Sequence, residues 1–248
     1  MPRRSDEAFV LTRYPFRERD LIVVALGRDS GLVRLLARRA RGARGAAAGR
    51  LEVLSLVRLT FFERRQSELA SLDEVALLRS AFPLSARPAA WAAGQVLAEL
   101  ALLFSPPGQR LEAMFRLVDR CLLALLGGHD PLAVVDYASV WTVRLAGVLP
   151  DVERCGVCGA LLPETPVRYD EQAQGLVCAG HGGGGRLHVS PRSRRWLQAV
   201  LTSPPERIAE AAPADARQWV EQLRRAFLER DLATLATFHA LVGGPPAV

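Results

Sequence analysis

Residues 7–40 read EAFVLTRYPFRERDLIVVALGRDSGLVRLLARRA, and the fold follows from this stretch. Three runs rich in Val, Leu, Ile and Phe, at 7–16, 20–28 and 31–40, alternate with short polar breaks. Such runs bounded by turn residues read as strands, and Asp29-Ser30-Gly31 reads as the hairpin turn between the second and third. Two further pieces follow, LEVLSLVRLTFFE at 51–63 and a weaker SELASLDEVALL at 67–78. Five short strands packed into residues 7–78 predict a small closed or partly closed barrel. Residues 40–49 are Arg, Gly and Ala only, a loop composition expected to be mobile.

Past a joint at Phe82-Pro83 to Pro88 the apolar period changes. Trp91 to Phe104, Arg110 to Leu126 and Pro131 to Val148 carry charges at helical spacing, and Pro106-Pro107-Gly108 and Gly127-Gly128 separate them. Leu111, Phe115, Val118, Leu122 and Leu125 form a stripe that predicts core packing. Helix returns at Pro191 to Leu201 and over Ala214 to Leu241. The expected class is α+β: a barrel over 1–80, a helical domain from 81–150 and 188–248, and an inserted module at 151–187.

That module holds C-G-V-C at 155–158 and, nineteen residues on, C-A-G-H at 178–181. Two such knuckles converge four ligands, Cys155, Cys158, Cys178 and His181, into the tetrahedron that Zn²⁺ takes. His188 is the alternative fourth ligand, but His181 stands where a second CxxC partner would. With all four positions filled from protein no place remains for a metal-bound water, so one structural zinc per chain is expected and a zinc hydrolase is not. A zinc deaminase needs H-x-E and P-C-x-x-C; no H-x-E occurs, and Cys155 follows Arg154. Cys121, inside LVDRCLLALL, reads as a small core residue.

Net charge is +6, and all 32 basic residues are Arg. The N-terminus lacks an apolar signal region, and the most apolar long stretch, 131–150, contains Asp136 and Arg144, so a reducing cytoplasmic address without a membrane span is expected. No phosphate loop, nucleophile elbow or H-E-x-x-H is present, so no catalytic residue is assigned. His129 and His239, near predicted helix ends, read as structural. Between Asp29 and Glu52 the chain has no acid and carries Arg34, Arg38, Arg39, Arg41, Arg44 and Arg50, with Arg28 to one side. A guanidinium fork matches phosphate and cannot deprotonate, and five-stranded barrels bind single strands along basic faces with aromatics for stacking. Tyr14, Phe16, Phe61 and Phe62 are the available aromatics; Phe61 and Phe62 are adjacent, so one of them faces the core. A competing reading is a zinc-ribbon regulator of specific duplex sites, for which no recognition helix is evident.

The order of these parts resembles the RecO family of bacterial recombination mediators. The resemblance rests on the opening 9–45, where Ala37-Arg38-Arg39-Ala40-Arg41 stands for a basic "AKGAR"-like segment and Arg39 replaces its Gly. It rests also on LAELALLFSPPGQRLEAMFRLVDRCLLALL at 97–126, and on LAGVLPDVERCGVCG and YDEQAQGLVCAGH around the cysteines. The family's fourth ligand is commonly Cys. The resemblance implies an N-terminal OB-fold, a helical domain with an inserted zinc module, and a non-enzymatic role. It implies binding of single- and double-stranded DNA, strand annealing, and action with RecR in loading RecA onto DNA coated by single-strand-binding protein (SSB), in the nucleoid. It further implies a helical-domain site for the acidic, Phe-ended SSB tail, for which Arg116, Arg120 and Arg144 are candidates.

Overall fold

The structure is a computed structural model and describes residues 3–40, 49–64, 67–181 and 187–243. Five strands, β1 (Arg3–Phe16), β2 (Asp20–Gly27), β3 (Gly31–Ala37), β4 (Leu56–Arg64) and β5 (Ser67–Arg79), close in the order β1-β2-β3-β5-β4. All pairings are antiparallel except β3 with β5. This is an OB-like barrel. Its interior is filled by small and branched residues, among them Ala8, Val10, Val23, Ala25, Leu35, Val57 and Leu59. Phe61 also belongs to this core, while Phe62 is half-buried.

Alternate residues point outward, and on β1 and β2 the outward set begins with Phe9, Leu11 and Leu26, which join the core of the helices. The register slips between Val10 and Thr12, so that Phe9 pairs Leu26 and Val10 pairs Ala25, but Thr12 pairs Val24. Leu11 is therefore the extra residue of a β-bulge, which reverses the alternation along the rest of β1.

Six helices follow: α1 (Pro88–Leu103), α2 (Glu112–Leu126), α3 (Pro131–Leu145), α4 (Pro191–Thr202), α5 (Ala214–Leu228) and α6 (Leu235–Val242). Asp130 caps α3 by accepting from the Leu132 and Ala133 amides, and Ser190 caps α4 by accepting from Ser193. Between α3 and α4 a three-stranded sheet, ordered β7 (Gly175–Val177), β6 (Val167–Asp170), β8 (His188–Val189), carries the cysteine module. Its Val167, Tyr169 and Leu176 pack into the same core as α1 to α3. Cys121 is fully buried there, and that burial pushes its thiol well above the ordinary range.

The barrel meets the helices through close contacts. The Phe9 and Phe115 rings lie 4.9 Å apart, and Leu32 bridges to Pro107. At Gly31 (φ +66°), a Cβ would lie 1.8 Å from the Gln109 carbonyl oxygen, so only glycine allows this approach.

Three expectations need correction. The fourth strand starts at Leu56 rather than at 51, because residues 49–50 are helical and Leu51 and Leu54 turn inward as plugs of the two cores. The third strand ends at Ala37, not 40. Ala214 to Leu241 is two helices: Glu229 adopts φ 54°, its amide donates to the Arg225 carbonyl, and the Glu99 carboxylate captures the Ala233 and Thr234 amides at 2.9 Å each.

Candidate metal centre and nucleic-acid interface

The first knuckle is a tight turn in which the Cys155 amide donates to the Ala160 carbonyl (2.8 Å) and Gly159 donates back to Cys155 (2.9 Å). The second is a single 3₁₀ turn, Ala179–His181, with the His181 amide on the Cys178 carbonyl at 2.9 Å. A hydrogen bond from Gly156 to Leu176 (2.8 Å) ties the two together. One ligand atom from each of Cys155, Cys158, Cys178 and His181 lies within 4.8 Å of the others. Cys158 and Cys178 sulfurs are 4.0 Å apart, and His181 Nδ1 stands 3.9 Å from Cys155 and 3.2 Å from Cys178. A tetrahedron with Zn–S near 2.3 Å needs edges of about 3.8 Å between sulfurs and about 3.5 Å between sulfur and nitrogen, so the four residues fit a metal ion. His188 is exposed on β8 and outside the group. Burial would raise the Cys155 thiol, but amides of Cys158, Cys178 and Val157 outweigh it and bring the thiol down to about 6, the thiolate form that a metal needs.

The arginine run divides. Arg34 on β3, and Arg38 and Arg39 in the turn beyond it, are exposed and form no ion pair among the described residues. Arg39 sits at φ 53°, a conformation glycine adopts more readily, and the Asp20 carboxylate holds its amide at 2.8 Å. Arg50 is exposed and donates to the Val75 carbonyl on β5. Arg41 and Arg44, with most of the 40–49 loop, lie outside the described residues. Arg28 turns to the helices, 3.4 Å from Glu7 and over the Phe115 ring. Arg17 and Arg19, which sequence reasoning does not single out because Glu18 stands between them, are also exposed, in the β1–β2 turn beside Asp20.

On the helical side, Arg116, Arg120 and Arg144 are exposed, and none lines the cavity of about 940 Å³ between α3, α5 and α6. Leu132, Trp196 and Leu235 contribute apolar wall, and Arg217, Arg225 and His239 contribute charge or polarity. Asp136 is buried in it, accepting from Arg217 at 2.7 Å and from the Ala212 amide at 2.7 Å. Burial pushes the Asp136 carboxyl up, against the pull of Arg217, and pushes His239 down, aided by the same guanidinium. No spacing in the sequence announces this cavity, because its walls lie some eighty residues apart: Asp136 and Arg217 are separated by 81 positions.

Comparison with known proteins fits this arrangement. Residues 1–81 match the model of the recombination protein O N terminal domain, and residues 86–236 match that of its C terminal domain. The chain belongs to the RecO family. It is 35% identical to the DNA repair protein RecO of Koribacter versatilis (strain Ellin345), over 96% of this chain and 99% of the relative. Identity to the DNA repair protein RecO of Anaeromyxobacter dehalogenans (strain 2CP-1 / ATCC BAA-258) is 32%, over 94% and 92%. The RecO of Bifidobacterium adolescentis is 32% identical over 72% of this chain and 74% of its own. Among the described residues, no helix is long and apolar enough to cross a membrane.

Proposed function

We propose that the chain is a non-enzymatic mediator of recombinational DNA repair. It binds single- and double-stranded DNA, anneals complementary strands and acts with RecR to load RecA onto SSB-coated DNA in the cytoplasmic nucleoid. One observation carries this beyond the family: the side chains of Arg34, Arg38 and Arg39 stand exposed and without an ion pair among the described residues, on β3 and in the turn beyond it in an OB-like barrel. Two complementary strands repel each other. A cationic surface that contacts phosphates offsets this repulsion and leaves base edges free to pair. Arg41, Arg44 and Arg50 extend the same proposed contact set.

Cys155, Cys158, Cys178 and His181 hold one zinc. Thiolates and imidazole in a tetrahedron suit that ion, and its role is to fix the module against the helical core rather than to activate water. The SSB tail, acidic and ending in Phe, needs a cation and an apolar pocket. Arg116, Arg120 and Arg144 are proposed as the cations, exposed on the faces of α2 and α3.

The test is annealing of two complementary oligonucleotides precoated with SSB, without nucleotide. Acceleration by this chain, lost when Arg34, Arg38 and Arg39 become Ala, supports the reading. DNA binding without acceleration leaves a DNA-binding zinc protein that is not an annealing mediator.

A further inference from the structure

We infer that Cys158 and Cys178 are a peroxide-sensitive pair, which closes into a disulfide across the two knuckles, expels the metal ion and leaves the module stapled. This assignment rests on the zinc reading above and adds to it a reaction, a choice of two sulfurs among four and a reversible second state of the site.

The four cysteines of the chain differ in access. Cys121 is fully buried among the helices, and Cys155 is 3% exposed. Cys178 is half-buried and Cys158 is exposed. The Cys155 sulfur is covered further by the Cys178 amide, which donates to it at 3.5 Å. A small oxidant in solvent selects thiolates that it can reach. Cys158 stands in the exposed run 156–160 and is the sulfur that such an oxidant meets first.

The partner is on the other knuckle. The Cys178 sulfur stands 4.0 Å from that of Cys158, and the Gly156 amide on the Leu176 carbonyl (2.8 Å) already clasps the two knuckles together. A disulfide of about 2.05 Å requires the sulfurs to close by about 2 Å, a movement that rotation of the two side chains supplies. Cys155 is the rival partner, three positions from Cys158, but it is fixed on three sides. Its amide donates to Ala160 (2.8 Å), its carbonyl accepts from Gly159 (2.9 Å) and its sulfur accepts from the Cys178 amide.

The Cys158 thiolate attacks one oxygen of hydrogen peroxide. An S–O bond forms, the O–O bond breaks, and the departing oxygen takes a proton and leaves as water. The Cys178 thiolate then attacks the sulfenic sulfur of Cys158: the S–S bond forms, the S–O bond breaks, and the hydroxyl takes a second proton and leaves as water. Two thiolates have lost two electrons and the peroxide has gained them. Of the four ligands only Cys155 and His181 remain, too few to hold the ion in a closed tetrahedron. The new bond joins positions twenty apart in the chain, so it ties the knuckles as the ion did. A dithiol reductant reverses the step by exchange, and the restored thiolates take metal again.

The experiment uses the full wild-type chain, purified without chelator and analysed for zinc before any treatment. Hydrogen peroxide is added while a chromophoric chelator reports free zinc, and the product is denatured in an alkylating agent and cut with trypsin. Cleavage after Arg154, Arg168 and Arg186 places Cys155 and Cys158 in peptide 155–168 and Cys178 in peptide 169–186. The expected result is release of about one zinc per chain, a cross-link between these two peptides, and the alkyl label on Cys155 and Cys121. Dithiothreitol restores all four thiols. The oxidised chain unfolds at a higher urea midpoint than the reduced chain stripped of metal, because the disulfide restricts the unfolded state. A disulfide confined to peptide 155–168, zinc loss without a cross-link, or an oxidised chain no more stable than the stripped one overturns the switch. Zinc that is present and stays bound under peroxide overturns the switch alone and leaves the zinc reading standing. A chain that holds no zinc before peroxide is added overturns both.

Discussion

At the end of the barrel that meets the helices, three arginines are engaged. Arg28 lies against Glu7 and over Phe115, Arg79 is bound to Asp119 and lies over Phe9, and Arg110 pairs with Asp29. Midway along β3 and just past its far end, Arg34, Arg38 and Arg39 have no such partner among the described residues, and Arg39 is held only through its backbone, by Asp20. The same side chain therefore joins two parts of the molecule in one place and stands exposed in another, where the proposed function gives it a phosphate. Count and position in the chain do not separate the two uses; the partners do.

The comparison can be broken by removing partners, and stability then reports which charges were held. The largest effect belongs to the metal ligands, four groups whose partner is proposed to be an ion. Cys158→Ser is expected to lower zinc content from about one per chain to near zero and to destabilise by several kcal/mol. Metal analysis and urea unfolding check this; a wild-type protein purified without chelator and free of zinc contradicts it. Next is Asp136→Ala, which leaves Arg217 without its carboxylate and the Ala212 amide without an acceptor. A loss of about 3 kcal/mol follows, read as a lower urea midpoint.

Arg79→Ala removes an ion pair that is partly shielded from water and a cation over the Phe9 ring. It is expected to cost about 2 kcal/mol while leaving DNA affinity unchanged. Should it instead weaken DNA binding as much as a substitution of Arg34, Arg38 or Arg39, the two groups are not distinct.

Glu99 sharpens the comparison with pH. Burial alone would raise its carboxyl, but the Thr234 hydroxyl and the Thr234 and Ala233 amides hold it below its ordinary 4.5. The folded state thus binds fewer protons than the unfolded state between the two values. The stability from this contact is complete above pH 4.5 and is lost as pH falls through the lower, folded value. Glu99→Gln is expected to be less stable than wild type at pH 7 by about 1 kcal/mol, with the difference shrinking in acid. A gap that stays constant from pH 7 to pH 3 contradicts this.

Much of the architecture was legible because its signals are local. Alternating Val, Ile and Leu around Asp29-Ser30-Gly31 mark the hairpin, and two short Cys spacings bring the metal group together. What escaped depends on distant partners. The helical period runs on through Leu228, Leu232 and Leu235, but the helix breaks because Glu99, 134 positions from Ala233, takes the amides there. The direction of Tyr14 depends on a bulge that has no glycine to mark it. Which arginines are open depends on Glu7 and Asp119, neither of which is their neighbour in sequence.

The most direct measurement is the salt dependence of single-strand affinity for the wild-type chain and for the variant with Arg34, Arg38 and Arg39 changed to Ala. Each phosphate contact with a single strand contributes about −0.7 to the slope of log affinity against log salt. The triple variant should show a slope shallower by about 2, with stability within roughly 0.5 kcal/mol of wild type. An unchanged slope would place the DNA on another face and contradict the assignment of the open arginines.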